Sequence, residues 1–149
     1  KLQEALILAR RWPKAGERCL DAGACPGGWT WVLDQLGATV LAVDRSPLDE
    51  RLMDRPTIEF MAHDAFTLKC EELGPFDWIF SDVICYPERL LEWVQTWLST
   101  GLCKNFVCTI KMQGEWDRET SRAFAAIPGS SIVHLNNNKH ELCWIKTEP

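Results

Sequence analysis

Residues 21 to 30 read DAGACPGGWT, and they set three glycines and a proline between one apolar run that ends there and another that resumes. The run before, RCLDAGA at 18–24, is short and apolar and reads as a buried strand. The run after it spaces Trp29, Val32, Leu33 and Leu36 three and four apart, which is one face of a helix. A strand, a glycine-rich turn and a helix in that order form the ligand-binding corner of an open α/β sheet. Gly23 permits the tight turn, while Gly27 and Gly28 leave no Cβ to keep a ligand off the backbone. A plain strand-to-helix connection seldom needs so much glycine.

Outward from this corner the same alternation continues. TVLAVD at 39–44, TIEFMAHD at 57–64, WIFSDV at 78–83 and NFVCTIKM at 105–112 are further buried strands, most of them closing on or near an aspartate. Between them lie stripes of helical period: Leu2, Ala5, Leu6 and Ala9; Leu90, Val94, Trp97 and Leu98; Trp116, Thr120, Ala123 and Ile127. Pro87 suits a helix start, and Gly37 and Gly101 suit helix ends. Alternation of this kind implies parallel strands with helical crossovers on both faces. The last two runs, SSIVHL at 130–135 and ELCWIKT at 141–147, are separated only by 136–140 (NNNKH), so they are expected to form a final antiparallel pair. The predicted fold is a doubly wound α/β domain with a seven-stranded, mostly parallel sheet.

Composition narrows the classes. With 149 residues and 46% hydrophobic content, the chain is the size of one domain with a substantial core. Its first residue is Lys1 rather than methionine, which leads us to expect a piece of a longer protein. No apolar run approaches the roughly 20 residues that span a bilayer, so the expected setting is soluble and cytoplasmic. The seven cysteines are odd in number and form no CxxC, and the three histidines lack metal-ligand spacing; we expect reduced thiols and no metal. The formal net charge of −5 opposes the basic excess of a stand-alone nucleic-acid binder.

The glycine stretch is not a dinucleotide fingerprint, because Cys25 stands where the second glycine belongs and Pro26 removes an amide donor. No Gly-Lys-Ser/Thr follows, so it is not a phosphate loop either. A nucleoside without a pyrophosphate fits better. Asp44, ending the second strand, is spaced to take both hydroxyls of a ribose, and Asp64, ending the third, to accept from an exocyclic amine of a base; either one alone also reads as a helix cap. These features describe a pocket for S-adenosylmethionine.

DAGACPGGWT resembles the first motif of the FtsJ-like ribose 2′-O-methyltransferases, and its GACPGGWT spelling is most similar to the bacterial enzymes that methylate a cytidine ribose in large-subunit ribosomal RNA. The resemblance covers nearly the whole chain and implies a Rossmann-like class I methyltransferase domain over residues 1–149. It also implies a Lys-Asp-Lys-Glu tetrad. KLQEA supplies Lys1, SDV supplies Asp82, TIKM supplies Lys111 and HEL supplies Glu141. The cofactor pocket implied is lined by Asp21, Gly23, Cys25, Pro26, Gly27, Gly28, Trp29, Asp44, Asp64 and Asp82. The family's Ser-Arg pair ahead of the first lysine precedes the start of this chain.

Without the resemblance, bland alternatives stand: a strand-end lysine is usually solvated, and Glu141 can pair with Lys139 across the turn. Lys111 is less easily dismissed, since it follows an apolar strand at the ligand edge. Trp12, Trp31, Trp78, Trp93 and Trp144 read as core.

The mechanism implied is in-line transfer of a methyl group from a sulfonium to a ribose hydroxyl, giving S-adenosylhomocysteine and needing no metal. Lys111 is the expected proton acceptor and Lys1 the group that orients the hydroxyl, with Asp82 and Glu141 holding the amines. The expected partner is RNA, ribosomal by resemblance, bound by a monomeric catalytic domain with most of the RNA-binding surface in an upstream region. Arg10, Arg11 and Lys14 form the one local basic cluster, expected near the catalytic edge through Lys1. An oxidoreductase, a methyltransferase for small molecules or proteins, and a non-catalytic binding module are the competing readings.

Overall fold

The structure, a computed structural model, describes residues 1–149. Seven strands form one sheet: β1 (Arg18–Ala22), β2 (Thr39–Asp44), β3 (Ile58–Ala62), β4 (Trp78–Ser81), β5 (Asn105–Lys111), β6 (Ser130–Val133) and β7 (Glu141–Lys146), in the order β3-β2-β1-β4-β5-β7-β6. The first five are parallel; β7 runs antiparallel between β5 and β6. The expected seven-stranded architecture is present.

Residues alternate across each strand, so the sheet has two apolar faces and each must be covered. On one face, Leu2, Ala5 and Leu6 of α1 (Leu2–Ala9), Leu33 of α2 (Gly28–Gln35) and Leu52 of α3 (Glu50–Met53) cover Val40, Ala42, Trp78, Phe80, Val107 and Ile145. On the other, Leu73 of α4 (Cys70–Leu73), Trp93 and Trp97 of α5 (Pro87–Thr100) and Phe124 of α6 (Arg118–Ala125) cover Leu20, Val43, Ile79, Phe106 and Trp144. Trp144 Nε1 also donates to Phe124 O at 3.1 Å, fastening α6 to the last strand.

Helix boundaries follow local chemistry. Pro87 occupies the first turn of α5, and Gly101 closes it in the left-handed conformation. Asp117 accepts from Thr120 N at 2.9 Å, so α6 starts after it. Trp116 therefore lies outside the helix to which its spacing assigned it, in the loop after β5, and its ring is exposed. Trp12 and Trp31 are exposed as well, against expectation, whereas Trp78, Trp93 and Trp144 are core. No helix is long and apolar enough to cross a membrane.

The basic cluster is not where sequence put it. Lys1 caps the start of α1 at the carboxyl edge of the sheet, and eight helical residues then carry the chain roughly 12 Å away at about 1.5 Å per residue. Arg11 ends at the opposite edge, donating to Asn105 Oδ1 at the start of β5 and to Glu148 O. Arg10, Arg11 and Lys14 thus lie far from the glycine corner.

Candidate active site

β1 is flanked by β2 on one side and β4 on the other, so the sheet order reverses there and a crevice opens beyond their carboxyl ends. The glycine stretch lines it. Gly23 has φ +78, and an added Cβ would overlap Val83 Cγ2, so close approach of the loop after β4 requires glycine. Gly27, the N-cap of α2, has φ +119 and packs beneath Leu52. Only Gly28 faces open space, which narrows to one position the expectation that Gly27 and Gly28 both make room for a ligand.

The crevice encloses about 490 Å³. Asp21, Gly23, Cys25, Pro26, Gly28, Trp29, Asp44 and Asp82 of the expected set line it, with Lys111 at one end. Asp44 is fixed by backbone: Oδ2 accepts from Cys25 N and Oδ1 from Ser46 N, each at 3.0 Å. Each oxygen keeps a second lone pair for a diol. Trp29 stands edge-on to Phe80 and walls one side.

Asp64 lies in an adjoining recess of about 210 Å³ that shares Gly23, Asp44, Val83 and Ile84 with the crevice. Its Oδ1 accepts from Phe66 N, the helix-cap role left open by sequence, and its Oδ2 accepts from Arg45 and Arg89 at 3.2 Å each. An exocyclic amine would share that carboxylate with two guanidiniums. Neither arginine was foreseen.

Asp21 is buried and accepts from Thr30 Oγ1 at 2.6 Å. Burial pushes its carboxyl up to about 7; the Thr30 hydrogen bond opposes the shift, and the charges of Asp82 and Asp44 add to it. A carboxyl whose pKa is raised on folding binds more protons folded than unfolded between about pH 4 and 7. Stability therefore falls as pH rises through that window and stays low above it. Asp21→Asn keeps an acceptor for Thr30 and removes the titration. Its unfolding free energy at pH 8 is expected to exceed the parent's by about 2–4 kcal/mol, with the gap closing toward pH 4. Denaturant unfolding at both pH values checks this, and an equal gap at both would refute it.

Lys1, Asp82, Lys111 and Glu141 converge at the lysine end of the crevice. Lys111 ends β5 directly opposite Glu141, which opens β7. Lys111 Nζ donates to Asp82 O at 2.8 Å and stands 3.4 Å from Asp82 Oδ1; Lys1 Nζ stands 3.7 Å from the same oxygen and pairs closely with Glu141 Oε1. Glu141 meets Lys1, not Lys139. Burial acts to lower the Lys1 pKa, but the hydrogen bond and charge of Glu141 and the charge of Asp82 outweigh it, so Lys1 is held as a cation. For Glu141, burial acts upward and is overcome by Lys1, Asn138 and Lys111, leaving a lowered pKa.

Asn138 was read only as a turn former, yet it is the support for Glu141. It is 7% exposed, donates from Nδ2 to Glu141 Oε1 at 3.1 Å and accepts from Leu135 N at 2.8 Å. Three successive asparagines gave no signal for which one turns inward. Asn138→Ala leaves a buried amide and a buried carboxylate oxygen short of a partner, and is expected to cost about 2–3 kcal/mol of stability. Chemical denaturation measures that loss; a change under about 0.5 kcal/mol would show the turn does not depend on it.

The lining suits one class of ligand. Three carboxyl groups line it against the single Lys111 side chain, and Asp82 Oδ1, buried, has the Lys111 and Lys1 amines at 3.4 and 3.7 Å without accepting a hydrogen bond, so a further positive charge is accommodated there. With a diol acceptor at Asp44 and no built phosphate cradle, the residues fit S-adenosylmethionine, a cationic nucleoside. Asp44 would hold the ribose, and Asp82 and Asp21 the charged methionine end.

The model of the FtsJ-like methyltransferase family matches residues 1–134. The chain is 38% identical over 106 residues to the ribosomal RNA large subunit methyltransferase M of Xanthomonas euvesicatoria pv. vesicatoria, a match covering 70% of this chain and 30% of that protein. It thus spans about a third of that relative's length. Among solved structures, a Streptococcus thermophilus protein carrying the name hemolysin superposes with TM-score 0.77 at 21% identity, over 99% of this chain and 65% of that one. Magnesium protoporphyrin IX methyltransferase from Synechocystis PCC 6803, solved with bound S-adenosylmethionine, gives 0.65 at 19%, over 98% and 76%. At such identities these two speak for the fold alone.

Proposed function

The chain belongs to the FtsJ-like methyltransferase family, and on that premise we propose that it transfers a methyl group from S-adenosylmethionine to a ribose 2′-hydroxyl of ribosomal RNA. The observation that carries the reading is the meeting of two sites. The crevice suited to the cofactor ends on Asp82 and Lys111, and these same residues join Lys1 and Glu141 in one charged cluster.

Bound S-adenosylmethionine supplies an electrophilic methyl on a sulfonium; what remains for the protein is to align and deprotonate a weakly acidic hydroxyl. The two lysines are not equivalent in that task. Lys1 is pinned as an ammonium between two carboxylates, which suits it to orient the oxygen and stabilise negative charge developing on it. Lys111 Nζ is held by Asp82 O at the mouth of the crevice, where its lone pair, once the amine is neutral, accepts the hydroxyl proton. Asp82 bridges both lysines, and Glu141, braced by Asn138, fixes Lys1.

The test is transfer of a radiolabelled methyl group from S-adenosylmethionine to undermodified large-subunit ribosomal RNA, followed by nuclease digestion and mass spectrometry of the nucleosides. A 2′-O-methylated nucleoside supports the reading. Label on a base, or on protein alone, overturns it.

A further inference from the structure

Trp116 is an exposed tryptophan with no role in the core, and its neighbours suggest what it is for. It lies five residues beyond Lys111, and its ring packs edge-on against His140, the residue immediately before Glu141, with centroids 4.6 Å apart. The loop beneath it is tied down: Met112 N donates to His140 O at 3.0 Å, the His140 ring contacts Gly114 O, and Asp117 N approaches Met112 Sδ at 3.5 Å. The indole is thus held in place while 47% of it stays open to solvent.

Beside it, Trp116, Arg118, Ser121, Arg122 and Leu142 line a cavity of about 400 Å³, together with Asp117, whose carboxylate is occupied in capping α6. Arg45 and Arg89, the arginines next to the cofactor crevice, are both paired with Asp64. Arg118 and Arg122 form no ion pair and are exposed. On a chain of net charge −5, the lining of this cavity sets two arginines against one aspartate, so two guanidiniums free of ion pairs stand beside an immobilised aromatic face. An aromatic face takes the flat of a base, and guanidiniums take phosphate.

We propose that Trp116, Arg118 and Arg122 form a subsite for one nucleotide of an unpaired RNA strand, its base on the indole and its phosphate on the guanidiniums, adjoining the ribose presented to the tetrad. This rests on the RNA-methyltransferase reading. Bases stacked within a duplex hide their faces, so the subsite selects single strands. It also supplies the basic, aromatic surface that Arg10, Arg11 and Lys14, at the far edge, do not.

The experiment is fluorescence anisotropy with a labelled 12-nucleotide unpaired oligoribonucleotide and its duplex, at several salt concentrations. The parent is compared with Trp116→Ala, Trp116→Phe and the double variant Arg118→Gln/Arg122→Gln. Calorimetry with S-adenosylmethionine runs on each as a control for folding and for the cofactor crevice. The expected results are single-strand affinity reduced about tenfold or more in Trp116→Ala, mostly retained in Trp116→Phe, and a salt slope lowered by about 0.7 per lost phosphate contact in the arginine variant. Cofactor affinity is expected to be unchanged throughout.

Parent-like RNA affinity and slope in all variants would overturn the subsite while leaving the methyltransferase reading intact. A parent that binds no unpaired RNA would overturn the subsite, while the methyltransferase reading stands or falls on the methyl-transfer assay. A concentration-dependent dimer abolished by Trp116→Ala would assign the surface to a second copy of the chain and overturn the subsite.

Discussion

Lys111→Met is expected to lower methyl transfer by a factor of about 10²–10⁴, the usual contribution of a positioned general base, while S-adenosylmethionine affinity changes less than about threefold. Methionine matches the length of the lysine stem, so the end of β5 keeps its packing and what is lost is the amine alone. The amine touches Asp82 O and faces Asp82 Oδ1, both at the mouth of the crevice, whereas the groups suited to the cofactor's ribose lie at Asp44 on the far side of β1. Loss of rate with retained binding is therefore the signature of a group acting on the hydroxyl. Lys1→Met removes a cation with a raised pKa, unsuited to take a proton, and should cost less in rate than Lys111→Met. Single-turnover assays with the variants, paired with calorimetry, check the order. If Lys1→Met is the more damaging, the two lysines exchange roles; if Lys111→Met keeps parental turnover, it is not the base.

What the sequence shows of this site, and what it hides, follows from how locally each feature is encoded. The strands are legible because a parallel strand covered on both faces is a continuous apolar run, and WIFS or TVLAVD has few other readings. The helical segments α3 and α4 and the 3-10 turn at Ala65–Thr67 went unread because three or four residues carry no period. Trp116 was misplaced for the opposite reason: its spacing to Thr120 and Ala123 mimics a helical stripe, and only the Asp117 cap shows that the helix starts later. The grouping of Lys1, Asp82, Lys111 and Glu141 was visible only through resemblance. Its members sit just before α1, just after β4, at the end of β5 and at the start of β7, scattered from residue 1 to 141, and nothing local to a strand-end lysine shows which carboxylate it will meet. Asn138 and the two arginines on Asp64 lie beyond even that, because they act through contacts made by two turns and the first turn of α5, whose placement is set by the sheet. The basic cluster at 10–14 failed on simple geometry: nearness to Lys1 in sequence becomes separation once a helix intervenes.

The largest effect on cofactor binding is expected at Asp44. Its carboxylate does two things at once: it accepts from Cys25 N and Ser46 N, fixing the glycine stretch against the end of β2, and it keeps lone pairs directed at the space a ribose would fill. Asp44→Ala removes two charge-assisted acceptors for the ribose hydroxyls, each worth about 1.5–3 kcal/mol, and leaves the Cys25 and Ser46 amides unbound. A loss near 3–4 kcal/mol corresponds to roughly 10²–10³-fold weaker binding. Because the ribose is common to substrate and product, S-adenosylmethionine and S-adenosylhomocysteine should weaken together, whereas a change confined to the cationic substrate would point instead to Asp82 or Asp21. Asp44→Asn separates the two duties: one oxygen still accepts, so the turn is partly held, but the amide turns a donor toward one of its partners and the bidentate grip is lost. Affinity for both ligands is then expected between those of the parent and Asp44→Ala. Calorimetric titration of the three proteins with both ligands, with thermal unfolding to show that each is folded, decides the matter. Parental affinity in a folded Asp44→Ala protein would place the ribose elsewhere and remove the basis for assigning the crevice to the cofactor.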